Sequence, residues 1–346
     1  MFLKFIFLSM ILLTSVSVTT QETAPPFGDP QYISPEARLE RLFNDGLVLT
    51  ESPAEGPDGL IYFSDITFTT SAGPDGVEAG HIWRFDPQSG KTTIFRSPSG
   101  MSNGIKFDGQ GRLIAAEGAD HGGRRITRTD MTTGKSYILA SKYNGRPLNA
   151  PNDITIDEMG RIYFSDPKYI GYESVEQPVM AVYRIDIDGS IHRIITDAGK
   201  PNGVAISPNQ KTLYVVSNDN GSMDLGKITP EIPVTKGRMA LLAYDLKKNG
   251  TATFRRVLVN YLPEDGPDGL VVDIEGNLYV AERNVQRPGI SIRDPQGIER
   301  AFIPTKVLPT NVGFGRGHHN RILYITAGKG LYRISVKKPG YHLPKN

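Results

Sequence analysis

Hydrophobic and polar positions alternate over short runs along most of this chain, and the runs come in pairs. From Leu148 to Pro167 the polar pair Asn152-Asp153 precedes an alternating run (Ile154, Ile156). A Glu-Met-Gly turn follows, then a second run (Ile162, Tyr163, Phe164) that ends at Asp166-Pro167. Such alternation is strand chemistry, and a Gly-bearing turn between two runs reads as a hairpin. Near-copies of the second run lie at Gly59 to Asp65, Gly111 to Glu117, Lys211 to Asn218, Gly276 to Glu282 and Arg321 to Ala327. Anchored on Tyr62, Ile114, Tyr163, Tyr214, Tyr279 and Tyr324, the separations are 52, 49, 51, 65 and 45 residues. A strand-only repeat of this period predicts propeller blades. No segment between the copies carries a sustained helical stripe, which removes a βαβ reading. The predicted fold is therefore all-β: a six-bladed β-propeller over residues 47–336, with a central divalent-metal site expected on its axis.

The flanks are read separately. Residues 1–20 carry one Lys and then an apolar run followed by small and hydroxyl residues, the pattern of a secretory signal peptide, so export to the periplasm or medium is expected. Residues 21–46 form an N-terminal arm, Pro-rich at first, with a short helix expected over Pro35 to Asn44; residues 337–346 form a tail. Closure of the ring is expected from Leu47 to Thr50 joining the last blade, Asn311 to Val336. Trp83, in a third strand, is assigned to packing between blades. The long separation before Tyr279 holds an insertion, Asn218 to Arg238, expected to overhang the ring described next.

Each repeat opens on a polar residue at a nearly fixed distance before its anchor. Asn103, Asn152 and Asp268 each stand 11 before theirs, Asn202 12 and Asn311 13; in the first repeat Glu55-Gly56-Pro57 begins 7 before Tyr62. First strands of propeller blades line the central channel, so equivalent positions converge on the axis as a ring of carboxylates and carboxamides. For any single copy, Asn-Gly and Asp-Gly are also ordinary turn dipeptides.

Composition narrows the chemistry. The 39 basic and 37 acidic residues give no basic footprint for nucleic acid. The absence of Cys leaves the ring to packing and hydrogen bonds and excludes a lipid-modified Cys anchor, so no stable membrane insertion is expected once the signal is removed. Ring positions without Cys or His make a hard-oxygen site that suits Ca²⁺ or Mg²⁺ above Zn²⁺ or Cu²⁺. One divalent cation is expected, Ca²⁺ first, with Mg²⁺, Mn²⁺ and Zn²⁺ as the other ions to test.

The phrases A-E-G-P-x-G-x-I-Y-F-S-D, L-N-A-P-N-D-I-T-I-D, P-N-G-V-A-I-S-P-N-Q-K-T-L-Y-V and P-D-G-L-V-V-D-I-E-G-N-L-Y-V-A resemble the gluconolactonase/regucalcin (senescence marker protein) family, over about Leu47 to Ser335. The resemblance implies a propeller with one central cation, held by Glu55, Asn202 and Asp268 with Asn152 as a further ligand or substrate contact, and hydrolysis of sugar lactones or other lactones. Where that family often reads C-E-H-G-x-R-R, this chain reads A-E-G-A-D-H-G-G-R-R (Ala116 to Arg125), three residues longer. Paraoxonase-like relatives begin a channel strand with His; here Ser102-Asn103-Gly104 stands there, so a His-based mechanism is not expected.

The expected mechanism has the cation polarise the lactone carbonyl while Asp268 serves as general base for water. A small-molecule lactone is the expected partner, met by Asn103, Asn152 and the residues just after second strands: His121, Arg124, Tyr169, Asn218 and Glu282. His318 and His319 are expected at the surface of the other end. Two other functions fit the same ring, a non-catalytic ligand- or Ca²⁺-binding propeller and a phosphotriesterase-like hydrolase.

Overall fold

A computed structural model describes residues 23–68, 79–223 and 235–343. The signal-like segment 1–20 and much of the insertion lie outside the described residues. Among the described residues, beside a two-stranded hairpin of Lys142–Tyr143 and Arg146–Pro147, six four- or five-stranded antiparallel sheets form the blades. Their innermost strands are Leu49–Glu55, Ser102–Phe107, Ile154–Ile156, Pro201–Ile206, Leu270–Val272 and Pro309–Phe314. The second strands carry the repeated motif: Ile61–Ile66, Leu113–Glu117, Ile162–Asp166, Thr212–Asn218, Leu278–Glu282 and Ile322–Ala327. They are buried throughout or nearly so, as a strand flanked by blades on both faces must be. The core is accordingly divided into layers between blades; one joins Tyr163, Val182 and Ile195 of the third blade to Val204, Val215 and Leu242 of the fourth.

The ring closes differently from the expectation. Leu49–Glu55 is the inner strand of the first blade, with Leu49 opposite Ile66. The last blade is completed instead by Glu40–Phe43, which pairs with Gly330–Ser335. The helix expected over Pro35 to Asn44 does not form: a lone helix that short is marginal. As a strand, Phe43 packs its ring 5.4 Å from Phe63 and 5.1 Å from Trp83, and Arg333 pairs with Glu40 at 2.7 Å. Further upstream, Phe27–Gly28 adds a fifth strand to the fifth blade. The arm is thus part of the propeller. Trp83 does pack in the core and also donates its indole N–H to Asp65 at 2.8 Å.

The Asn-Gly and Asp-Gly pairs of the inner strands are not turns. The ladder between first and second strands breaks after Glu51, Ser102, Pro201 and Pro309, and such bulges re-aim a side chain. The glycines allow neighbouring inner strands to touch. A Cβ on Gly203 would lie 2.4 Å from the Asp268 carbonyl oxygen, and one on Gly269 would lie 2.0 Å from the Asn311 side chain. Among the described residues no helix is long and apolar enough to cross a membrane.

Candidate active site

The bulges and close approaches gather polar side chains at one mouth of the axial channel, in a cavity of about 200 Å³. Asn103, Asn152, Asn202 and Asp268 line it, and so does Glu51, at 2% exposure. Burial raises the Glu51 carboxyl well above the usual range, and the Asp268 and Asp153 carboxylates raise it further; a hydrogen bond with Asn311 pulls the other way. Burial likewise pushes Asp268 up to about 6, opposed first by Arg283 and then by a hydrogen bond with Asn202. The Arg283 guanidinium lies 3.8 Å from Asp268. Asp153, buried beside the ring, accepts hydrogen bonds from the backbone of Ile154 and Val204.

Two expected contacts after second strands also line this cavity. Tyr169 donates its hydroxyl to the Asn218 carbonyl at 3.0 Å, and the Lys200 ammonium rests 4.0 Å from its ring centroid. Asn218 donates its amide to the Gly266 and Pro267 carbonyls at 2.9 and 3.2 Å, which fixes the approach to Asp268.

Four expected residues lie elsewhere. Glu55 is at the opposite mouth, in a separate cavity of about 110 Å³. There it accepts the Arg316 backbone N–H at 2.8 Å and stands 3.7 Å from His319. It comes four residues after Glu51 on one strand, so at ~3.3 Å per residue it sits roughly 13 Å further along the axis. His318 and His319 are at that end, as expected. His121 is exposed at φ +66°, its ring against Tyr172; the longer loop carries it to an outer groove shared with Arg96 and Glu117. Arg124 is spent on loop carbonyls, donating to Leu148, Asn149 and Ser174. Glu282 turns away from the cavity, where Ser291 and Arg293 of its own blade and Tyr261, just after the fourth blade's outer strand Ala252–Asn260, donate to it. Asp65, Glu117 and Asp166 end their second strands in the same way, each bracketing neighbouring chain.

Glu51 and Arg283 line the Asp268 cavity although neither is among the residues that the family resemblance implies. Both carried a signal. Glu51 stands 11 before Tyr62, the offset of Asn103, Asn152 and Asp268. Arg283 follows Glu282, and consecutive strand positions face opposite ways.

The donor set bears on whether a cation fits. Among the described residues no three His, Cys, Asp or Glu side chains stand together as a ready ligand group. What converges is two carboxylates with carboxamides. The Asn103 side-chain oxygen is buried and has no hydrogen-bond partner. Buried acids that repel one another, beside the carboxamides of Asn152 and Asn202, fit a hard divalent cation that takes neutral and anionic oxygens alike.

Residues 50–329 match the SMP-30/gluconolactonase/LRE-like region family. The chain is 31% identical over 336 residues to a gluconolactonase of Zymomonas mobilis, covering 86% of this chain and 85% of that protein. The solved structure of a gluconolactonase from Xanthomonas campestris superposes with a TM-score of 0.73 at 26% identity, covering 91% and 96% of the two chains. Regucalcin from Agrobacterium tumefaciens, described as a calcium-binding protein, superposes with a TM-score of 0.66 over 88% and 96% of the two chains; at 16% identity that likeness shows the fold alone. By sequence match and by fold, the chain belongs to the SMP-30/gluconolactonase/LRE-like family.

Proposed function

We propose that this lactonase opens a sugar lactone of the gluconolactone kind, or a related lactone, in the cavity at the Glu51–Asp268 mouth. The observation that carries the reading is the convergence of Glu51, Asp268, Asn103, Asn152 and Asn202 from five blades on one cavity. Glu51, Asn152, Asn202 and Asp268 are the oxygen donors that would hold a divalent cation, Ca²⁺ by preference. Such an ion supplies Lewis-acid polarisation of the lactone carbonyl and stabilises charge developing on its oxygen.

The remaining work falls to side chains. Asp268 accepts a proton from a water as the water oxygen bonds to the carbonyl carbon. The ring C–O bond then breaks, and the proton passes to the departing alkoxide, so the product is a hydroxy acid. Arg283 favours the ionised form of Asp268, the form a base must have. Asn202 hydrogen-bonds to Asp268 and to Tyr169, which orients both. The unpartnered oxygen of Asn103 is free to accept a substrate hydroxyl.

The test is turnover of a lactone panel by purified protein, after exhaustive chelation and after restoring Ca²⁺, Mg²⁺, Mn²⁺ or Zn²⁺. Loss and recovery of activity are expected. At saturating cation, Asp268→Asn is expected to lower kcat by ~10²-fold or more, the scale of a lost general base. Near-normal kcat in that variant would remove Asp268 from the role of base.

A further inference from the structure

The cavity walls are not alike around the axis. Among the described residues the first three blades contribute an arc of hydrocarbon from Leu49, Ile66, Phe68, Met101, Ala119 and Ile170, together with the polar side chains of Glu51, Asn103, Asn152 and Tyr169. The fourth and fifth contribute Asn202, Asn218, Asn220, Asp265, Asp268 and Arg283. Ile66, Met101 and Ala119 are buried, while Leu49, Phe68 and Ile170 are half-buried at the mouth.

A ring carrying a hydroxyl on every carbon meets only polar side chains on the side of the fourth and fifth blades and largely hydrocarbon on the side of the first three. Held with its ester beside Asp268, it would set part of its hydroxyl rim against hydrocarbon that returns no hydrogen bond, and burying a hydroxyl unpaired is costly. A lactone with hydroxyls or ester oxygens on one side and hydrocarbon on the other satisfies both. From this division of the walls we infer that the preferred substrate is an amphiphilic lactone, its ester against the fourth and fifth blades and an alkyl or aryl substituent against the first three. The inference rests on the lactonase reading above and sharpens its substrate class. Met101, flexible and polarisable, and Ala119, small, let the arc accept substituents of different shape.

The transfer of one methylene from water to an apolar wall favours binding by about fourfold. The experiment uses the Ca²⁺-loaded full chain with γ-butyrolactone, its 5-alkyl homologues from methyl to hexyl, and glucono-δ-lactone. The expected result is kcat/KM rising by about fourfold per methylene over the first few carbons and then levelling as the arc is filled. Phe68→Ser and Ile170→Ser, both at half-buried positions where folding tolerates polarity, are expected to flatten that slope to about twofold or less per methylene. A flat or falling series, with glucono-δ-lactone the best substrate, would overturn this inference and leave the lactonase reading intact. A slope unmoved by both substitutions would also overturn it, since the apolar arc would not be what the chain contacts. Failure to turn over any lactone would overturn the lactonase reading and this inference with it.

Discussion

Glu51 and Glu55 separate two accounts of the cation site, and a pair of conservative substitutions tells them apart. Glu51→Gln removes a carboxylate from the cavity that holds Asp268 and Asn202. Glu55→Gln removes one from the opposite mouth, where its partners are Arg316 and His319. Affinity in hard-oxygen sites follows the number of charged ligands, and loss of one of two is expected to weaken binding by ~10²-fold. A ligand that binds only the folded state stabilises it by RT ln(1 + [L]/Kd). With Ca²⁺ at a hundred times the wild-type Kd this is about 2.7 kcal/mol. In Glu51→Gln the same concentration only equals Kd, and the gain falls to about 0.4 kcal/mol. At roughly 2 °C per kcal/mol for a domain of this size, the wild-type melting temperature should rise by about 5 °C on adding Ca²⁺, and that of Glu51→Gln by about 1 °C. Glu55→Gln should keep the full rise. Without the ion, Glu51→Gln should melt above wild type, because it removes a buried carboxylate that Asp268 and Asp153 disfavour. The assay is thermal unfolding of chelated and Ca²⁺-loaded protein, which needs no substrate. A wild-type Ca²⁺ response in Glu51→Gln, or its loss in Glu55→Gln, would refute the placement of the ion.

Two further outcomes follow from side chains outside the cavity. Glu282 accepts from Tyr261, Ser291 and Arg293, so Glu282→Gln should cost about 2 kcal/mol or more of stability in urea unfolding while KM for any lactone stays within about twofold; a large rise in KM without loss of stability would return it to the substrate site. His342, in the tail at the opposite mouth, shares a 2.8 Å hydrogen bond with the Gly315 carbonyl. Burial, then Arg316 and Lys106, holds its imidazole down at about 4, with Glu55 across the same cavity. The folded state therefore favours the neutral ring: its contribution is complete above about pH 6.5 and is lost as pH falls from there towards 4, by at most about 3 kcal/mol. The stability difference between wild type and His342→Gln should shrink or reverse over that window, and a difference constant with pH would refute the assignment.

The fold was legible because its signal is local and repeated: an alternating run, a Gly turn and a second run, six times over. Ring closure was not. Whether Glu40–Phe43 is helix or strand depends on Phe63, Trp83 and Leu331, residues that no local window contains. The loops after second strands were illegible for a related reason. The period specifies the strand, but whether Arg124 reaches the cavity or the Leu148 carbonyl depends on a backbone held at φ +47° in a loop three residues longer than the phrase it resembles. Parity was available and went further: Glu282 and Arg283 are consecutive, so one faces the blade and the other the cavity.

The ring itself was legible through its offsets, and the physical reason shows how such repeats can be read. First and second strands of a blade pair antiparallel across a short hairpin, so a residue a fixed number before the buried second-strand tyrosine must stand at a fixed height along the axis. Asn103, Asn152 and Asp268 share the offset of 11, and Asn202 and Asn311, at 12 and 13, have longer hairpins before their tyrosines. Glu51 meets the rule and Glu55 misses it by four residues, which the structure converts into the whole distance from one mouth to the other. The family resemblance implies Glu55 through the Glu-Gly-Pro phrase, yet Gly56 and Pro57 mark where the strand ends. The residue that lines the Asp268 cavity lies where the strand begins, beside the bulge after Glu51 and the left-handed Ser52 at φ +46°. Height along the channel, counted from the tyrosine, is therefore a better guide to this site than likeness of phrase.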